Sequence, residues 1–165
     1  MEKKPLVNLD ELKFFEMSQG EKYGAMLAPI GSEIGAEKLG CRVTVLQPGK
    51  RAWPKHSHLV NEELFFILEG EGTAVIGDTE YAIRAGDMVA CLPRKELAHQ
   101  ILNTSDRELK YLAISTMEEP DVCLYPDSNK FGVFAGAAPG GDGAARSFSI
   151  YASRDSEMDY WEGED

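Results

Sequence analysis

Between residues 41 and 116 the chain breaks into short runs rich in Val, Ile, Phe, Tyr and Thr, each closed by Gly, Pro or an Asn/Asp/Ser cluster. This punctuation constrains the fold more than any other feature. β-Branched and aromatic residues suit a pleated, half-buried surface, and the turn residues between them leave no stretch long enough for a helix to propagate. Strands are expected over 41–46, 63–68, 73–76, 80–84, 88–92, 99–102 and 109–116. Gly77-Asp78 has the chemistry of a tight hairpin turn. Many short strands at such spacing predict an all-β sandwich or barrel. No helical period and no internal repeat interrupts the pattern.

The flanks read differently. Residues 1–39 suggest a strand or short helix over 12–17 and a strand over 23–28. Residues 118–165 open with an apolar run at 122–125, become Gly- and Ala-rich from 132 to 145, and carry a strand-like run at 146–152 before an acidic end. The glycine-rich part lacks the Gly-Lys-Ser/Thr ending of a phosphate loop and is expected to be a flexible connection, with a lid as the alternative. Both flanks are read as arms on one barrel, so residues 1–165 form a single expected domain. The run Leu64-Phe-Phe-Ile-Leu68 is apolar at every position, whereas a strand with one wet face alternates. Its outer face must be covered, by the arms or by a second copy, and a homodimer is the expectation.

The formal net charge of −11 argues against nonspecific association with nucleic acid or an anionic membrane. No apolar run is long enough to span a bilayer, and the first residues lack the pattern of a secretory signal. The three cysteines, Cys41, Cys91 and Cys123, form no Cys-x-x-Cys pair. A reduced, cytoplasmic setting is expected, in which the sequon at Asn103 has no meaning.

Only three histidines are present, His56, His58 and His99. On a strand, side chains at i and i+2 share a face, so His56 and His58 can both enter a barrel interior. A turn through residues 59–62 would return the next strand antiparallel and bring Glu63 beside them, with Glu62 as the competing carboxylate. His99 arrives only through tertiary folding. Three imidazoles and a carboxylate suit a divalent transition metal, with positions left over for water or substrate oxygen. Arg42, Lys55, Arg94 and Lys95 flank these residues as candidates for steering an anionic substrate, and Trp53, Phe65 and Tyr111 either line the cavity or pack.

Gly49…His56-x-His58-x4-Glu63-x6-Gly70, followed by Gly86…Pro93…His99-x3-Asn103, resembles the two consensus motifs of the cupin superfamily over roughly residues 40–117. The resemblance implies a double-stranded β-helix, or jelly-roll barrel, with His56, His58, Glu63 and His99 holding one divalent metal such as Zn, Mn, Fe or Ni. Two departures stand out. The spacing from Gly49 to His56 is one residue longer than usual, and the family's turn glycine before the last histidine is absent from Pro93-Arg-Lys-Glu-Leu-Ala-His99. The chain also resembles small cupins described as sugar-phosphate-isomerase-like. That implies an isomerase or epimerase acting on a small oxygen-rich substrate such as a sugar phosphate. The competing readings are an iron-dependent dioxygenase and a non-catalytic module that binds a sugar-like ligand. No helix-turn-helix pattern flanks the barrel, so a DNA-binding regulator is not expected, and no Ser-His-Asp set exists apart from the metal motif.

Overall fold

The computed structural model describes residues 3–164. In chain order its strands are β1 (Phe15–Gln19), β2 (Tyr23–Pro29), β3 (Leu39–Leu46), β4 (Ser57–His58), β5 (Glu63–Glu69), β6 (Glu71–Ile76), β7 (Thr79–Arg84), β8 (Met88–Cys91), β9 (His99–Leu102), β10 (Leu109–Thr116), β11 (Asp121–Tyr125), β12 (Lys130–Ala135) and β13 (Phe148–Ser153). A short helix, α1 (Gly31–Ile34), follows β2. The fold is the all-β jelly-roll barrel that the strand pattern predicted.

One layer is a six-stranded sheet in the order β1-β2-β3-β10-β5-β8. Facing it are β7-β6-β9 and β13-β12-β11-β4. These two smaller sheets are joined by a bridge between His56 and His99, whose backbones exchange hydrogen bonds of 3.1 and 2.7 Å. Two of the three histidines thus sit at the seam of the second layer. The hairpin expected at Gly77-Asp78 is present, with Ile76 opposite Thr79 and Gly77 at φ +58°. That dihedral is the left-handed one a primed turn needs.

Alternation along the strands fills the space between the layers. Leu27, Leu46, Phe65, Ile67, Val89, Leu109 and Tyr111 of the large sheet meet Ala74, Ile83 and Ile101 of the facing one. A second cluster lies on the outer face of the large sheet, where Val7, Leu12, Phe14 and Ile34 pack over Ala28, Ile30 and Val43, together with Val45, Leu68 and Leu112. The N-terminal arm therefore covers part of the face that the apolar run 64–68 predicted to be hidden.

The structure corrects the sequence reading in three places. The strand or short helix expected over 12–17 is a strand that begins later, at Phe15, and residues 9–11 form a turn of 3₁₀-helix. The Gly- and Ala-rich segment is not all connection, because β12 occupies its start. There Gly132 is a strand residue whose lack of Cβ makes room for aromatic rings: a Cβ would lie 2.9 Å from Phe134 and 3.0 Å from Tyr151. Third, β5 does not return antiparallel beside β4. The two strands belong to different layers, and residues 59–62 cross between them. Asn61, 1% exposed, fastens that crossing: its Nδ2 donates to Glu118 O, and its Oδ1 accepts from Glu118 N and Thr116 Oγ1, at 2.8–3.0 Å.

Candidate metal centre

Four side chains of the predicted set meet between the layers. Glu63 reaches in from β5, and its Oε2 lies 2.8 Å from His99 Nε2, 3.6 Å from His58 Nε2 and 3.9 Å from His56 Nε2. His58, His99 and Glu63 are buried, while His56 is partly open. Glu62, the competing carboxylate, is exposed, and its backbone N–H is bonded to Thr116. Parity on β5 decides this: Glu63 shares the inward face with Phe65 and Ile67. His99 attains its position despite the lengthened motif, because a turn closed by Leu97 N–H on Arg94 O at 3.0 Å absorbs the extra residue.

The outer ring nitrogens of His56 and His58 fix how these two side chains present themselves. His56 Nδ1 donates to Pro54 O at 2.8 Å, which leaves the Nε2 lone pair facing Glu63. His58 Nδ1 donates to Asp121 Oδ2 at 2.6 Å, with Cys123 Sγ 3.3 Å away. Asp121 is fully buried and also accepts from the backbone N–H of Val60 and Val122. A carboxylate behind a histidine raises its basicity and locks its ring, the arrangement that usually backs a metal-ligating imidazole. His58 Nε2 is buried and makes no hydrogen bond. An imidazole nitrogen left unpaired within 3.6 Å of a buried carboxylate oxygen is the environment a cation satisfies. The His/Glu cluster is therefore compatible with a metal ion.

The electrostatics point the same way. Burial, helped by the neighbouring His99 and His58, pulls His56 down from 6.5 to about 4, so it is neutral at physiological pH. For His58, burial works downward, but the hydrogen bond to Asp121, helped by Cys123 and by the negative charge of Glu63, overcomes it and pushes the ring up to about 12. Burial opposes the charge on Glu63 and on Asp121, yet their histidine partners hold both carboxyls below their ordinary values. An anionic cluster at this position favours a cation at its centre, whether a proton or a metal.

The remaining candidates separate clearly. Lys55 is tied to Gly77 O at 2.6 Å, Lys95 pairs with Glu96, and Arg94 is exposed. Asn103, buried, bonds Leu46 O, Arg107 O and Ser105, so it anchors a turn and holds no position at the site. Phe65 and Tyr111 pack edge to face at 5.7 Å within the core. Trp53 and Arg42 line a cavity of about 510 Å³ that opens beside Glu63. Part of its wall is the glycine-rich segment, from Gly136 to Asp142. Asp121 was missed in the sequence. Its signal was parity: an acid that shares one face of an apolar strand with Cys123, where solvent does not reach.

Residues 42–115 match the family model described as the cupin domain. Over 60 residues the chain is 32% identical to an uncharacterised protein of Methanocaldococcus jannaschii, a stretch covering 36% of this chain and 46% of that protein, so the chain spans under half the length of that curated relative. The fold is similar to the crystal structure of a candidate sugar phosphate isomerase from Acidithiobacillus ferrooxidans, with a TM-score of 0.78 and 22% identity over 94% of this chain and 96% of that one. It is also similar to that of a sugar phosphate isomerase from a cupin superfamily of Silicibacter pomeroyi, at 0.74 and 20% over 93% and 95%. A predicted oxalate decarboxylase of Thermotoga maritima follows at 0.58 and 24%, over 67% and 97%. At these identities the structural likeness establishes the fold.

Proposed function

Residues 42–115 of this chain match the cupin-domain model, and from that premise we propose that it is a metal-dependent enzyme of the isomerase or epimerase type, acting on a small oxygen-rich substrate such as a sugar phosphate. The observation that carries the reading is the convergence of three imidazole Nε2 atoms on Glu63 Oε2, beside a cavity of about 510 Å³. His56, His58, His99 and Glu63 would hold one divalent transition metal. When bound, such an ion polarises a carbonyl or hydroxyl oxygen and makes the adjacent proton easier to remove. Asp121 holds the His58 ring, Pro54 holds His56, and the packed wall of Phe65 and Tyr111 keeps bulk water from the inner side. Two structural neighbours that match more than nine-tenths of this chain bear the name sugar phosphate isomerase, which supports the substrate class by analogy of fold.

The three cysteines are free, in keeping with the reducing, cytoplasmic setting that belongs to this proposal. No helix among the described residues is long and apolar enough to cross a membrane. The test is a screen of aldose and ketose phosphates with protein loaded in turn with Mn, Zn, Ni and Fe(II), following interconversion by NMR under nitrogen and in air. Metal-dependent interconversion under both atmospheres is expected. Turnover that appears only with iron and oxygen would replace the isomerase reading with an oxygenase.

A further inference from the structure

Arg42 is the basic residue that faces the large cavity beside Glu63. It lies on β3 between Pro29 of β2 and Ala113 of β10, and its guanidinium carbon sits 4.9 Å from the centre of the Trp53 ring. Among the described residues its side chain makes no hydrogen bond and no ion pair, and its Nε is buried without a partner. In a chain with 28 acidic against 17 basic residues, a half-buried arginine free of carboxylates is unexpected. Desolvating a guanidinium without satisfying its donors is costly, and stacking on an indole leaves the donor edge free.

Its surroundings are built around that edge. Among the described residues Arg42 is the one basic residue lining the large cavity, and Arg42, Trp53 and Glu63 border both this cavity and a smaller pocket that contains His56 and His99. Gly140 runs past the guanidinium: a Cβ there would stand 3.5 Å from Arg42 Nη1, and φ of +82° disfavours any other residue. Arg146 holds this strap in place through Nε to Ala137 O and Nη2 to Ala138 O, both at 3.3 Å. Glu37, Glu119 and Asp142 line the same cavity and oppose a heavily charged ligand.

We propose that Arg42, shelved on Trp53 and roofed by Gly140, anchors an oxyanion in the outer cavity, so that the ligand is a small polyhydroxylated molecule with one anionic group, a phosphate ester or a carboxylate. Planar guanidinium binds either group through paired charge-assisted hydrogen bonds. With its anionic end seated on Arg42, the ligand lies with its hydroxylated end toward Glu63. Only this choice of reacting end rests on the proposed metal-dependent function.

The experiment uses the full chain carrying Trp161→Phe, so that Trp53 is the single indole, and follows its fluorescence with glycerol 3-phosphate, glycerate and uncharged glycerol. Saturable quenching by an anionic probe, but not by glycerol, is expected. Arg42→Gln and Arg42→Met should weaken it at least tenfold, and Met keeps the straight stem against Trp53 should Gln disturb folding. A response to the phosphate alone or to the carboxylate alone assigns the anionic group. Equal affinity in parent and both variants, binding of glycerol as tight as of the anions, or no saturable response to any probe would overturn the proposal. Metal content is read on the same samples. A parent that binds the anion but no metal defeats the metal-dependent function and leaves the anion site standing.

Discussion

At the scale of single residues, the site depends on which protons its members carry. In the metal-free chain His56 has its pKa lowered to about 4 from 6.5. The unfolded chain therefore binds more protons than the folded one between those values, and stability rises with pH across that window. His58 is raised to about 12 from the same starting value. Its contribution is fully present below 6.5 and is lost as pH rises toward 12. Glu63 and Asp121, both depressed, contribute above their ordinary carboxylate values and lose that contribution in acid. Together these groups place the stability maximum of metal-stripped protein near pH 6.5, which thermal melting across pH 4–10 would show; a flat profile above 6.5 would contradict the state assigned to His58. Asp121 carries the second prediction at this scale. Asp121→Asn keeps the shape but weakens the acceptor behind His58, so metal affinity should fall by roughly 10- to 100-fold, and the metal-stripped protein should also melt lower at neutral pH. Titration against a competing chelator measures it, and unchanged affinity would make Asp121 a purely structural residue.

At the scale of elements, the crossing between β4 and β5 aims Glu63. Asn61 satisfies three backbone and side-chain groups there, and removing it leaves buried donors and acceptors unpaired. Asn61→Ala should cost about 2 kcal/mol in denaturant unfolding and weaken metal binding as well, because Glu63 follows two residues later. A stability loss with unaltered metal affinity would show that the crossing supports the fold and not the site. The strands between residues 41 and 116 were legible because each carries its own β-rich composition and ends in turn residues. β12 was not, since Gly132, needed there to admit two aromatic rings, looks from sequence like a linker. The histidine motif names, by order and type, the four side chains that the fold brings together, yet not the layer each strand joins. That β4 and β5 face each other across the interior is decided by tertiary packing, and no local signal records it. Parity with Cys123 marks Asp121 as a buried acid, but nothing local pairs it with His58, 63 positions away.

At the scale of the whole molecule, the two layers do different work. The large sheet supplies Glu63 and Arg42, the facing layer supplies the histidines, and the seam at His56 and His99 lets the inner site open on the outer cavity. On the outer face of the large sheet the N-terminal arm covers Leu68 and Leu112, whereas Leu64 and Phe66 are half-buried and Met88, paired with Phe66, is 62% exposed. We retain the pairing of two copies through this apolar patch as a proposal. Sedimentation at micromolar concentration should then give twice 18.2 kDa, reduced to the single mass by Met88→Glu; a wild-type monomer would leave coverage to the arm alone. The claim on which the rest depends is that the four converging side chains hold a metal. Elemental analysis of untagged protein, purified without added metal and then reconstituted, tests it most directly. The account predicts close to one divalent ion per chain, lost in His58→Ala and His99→Ala variants that remain folded. A wild-type chain that refuses every ion, or variants that keep the full complement, would contradict it.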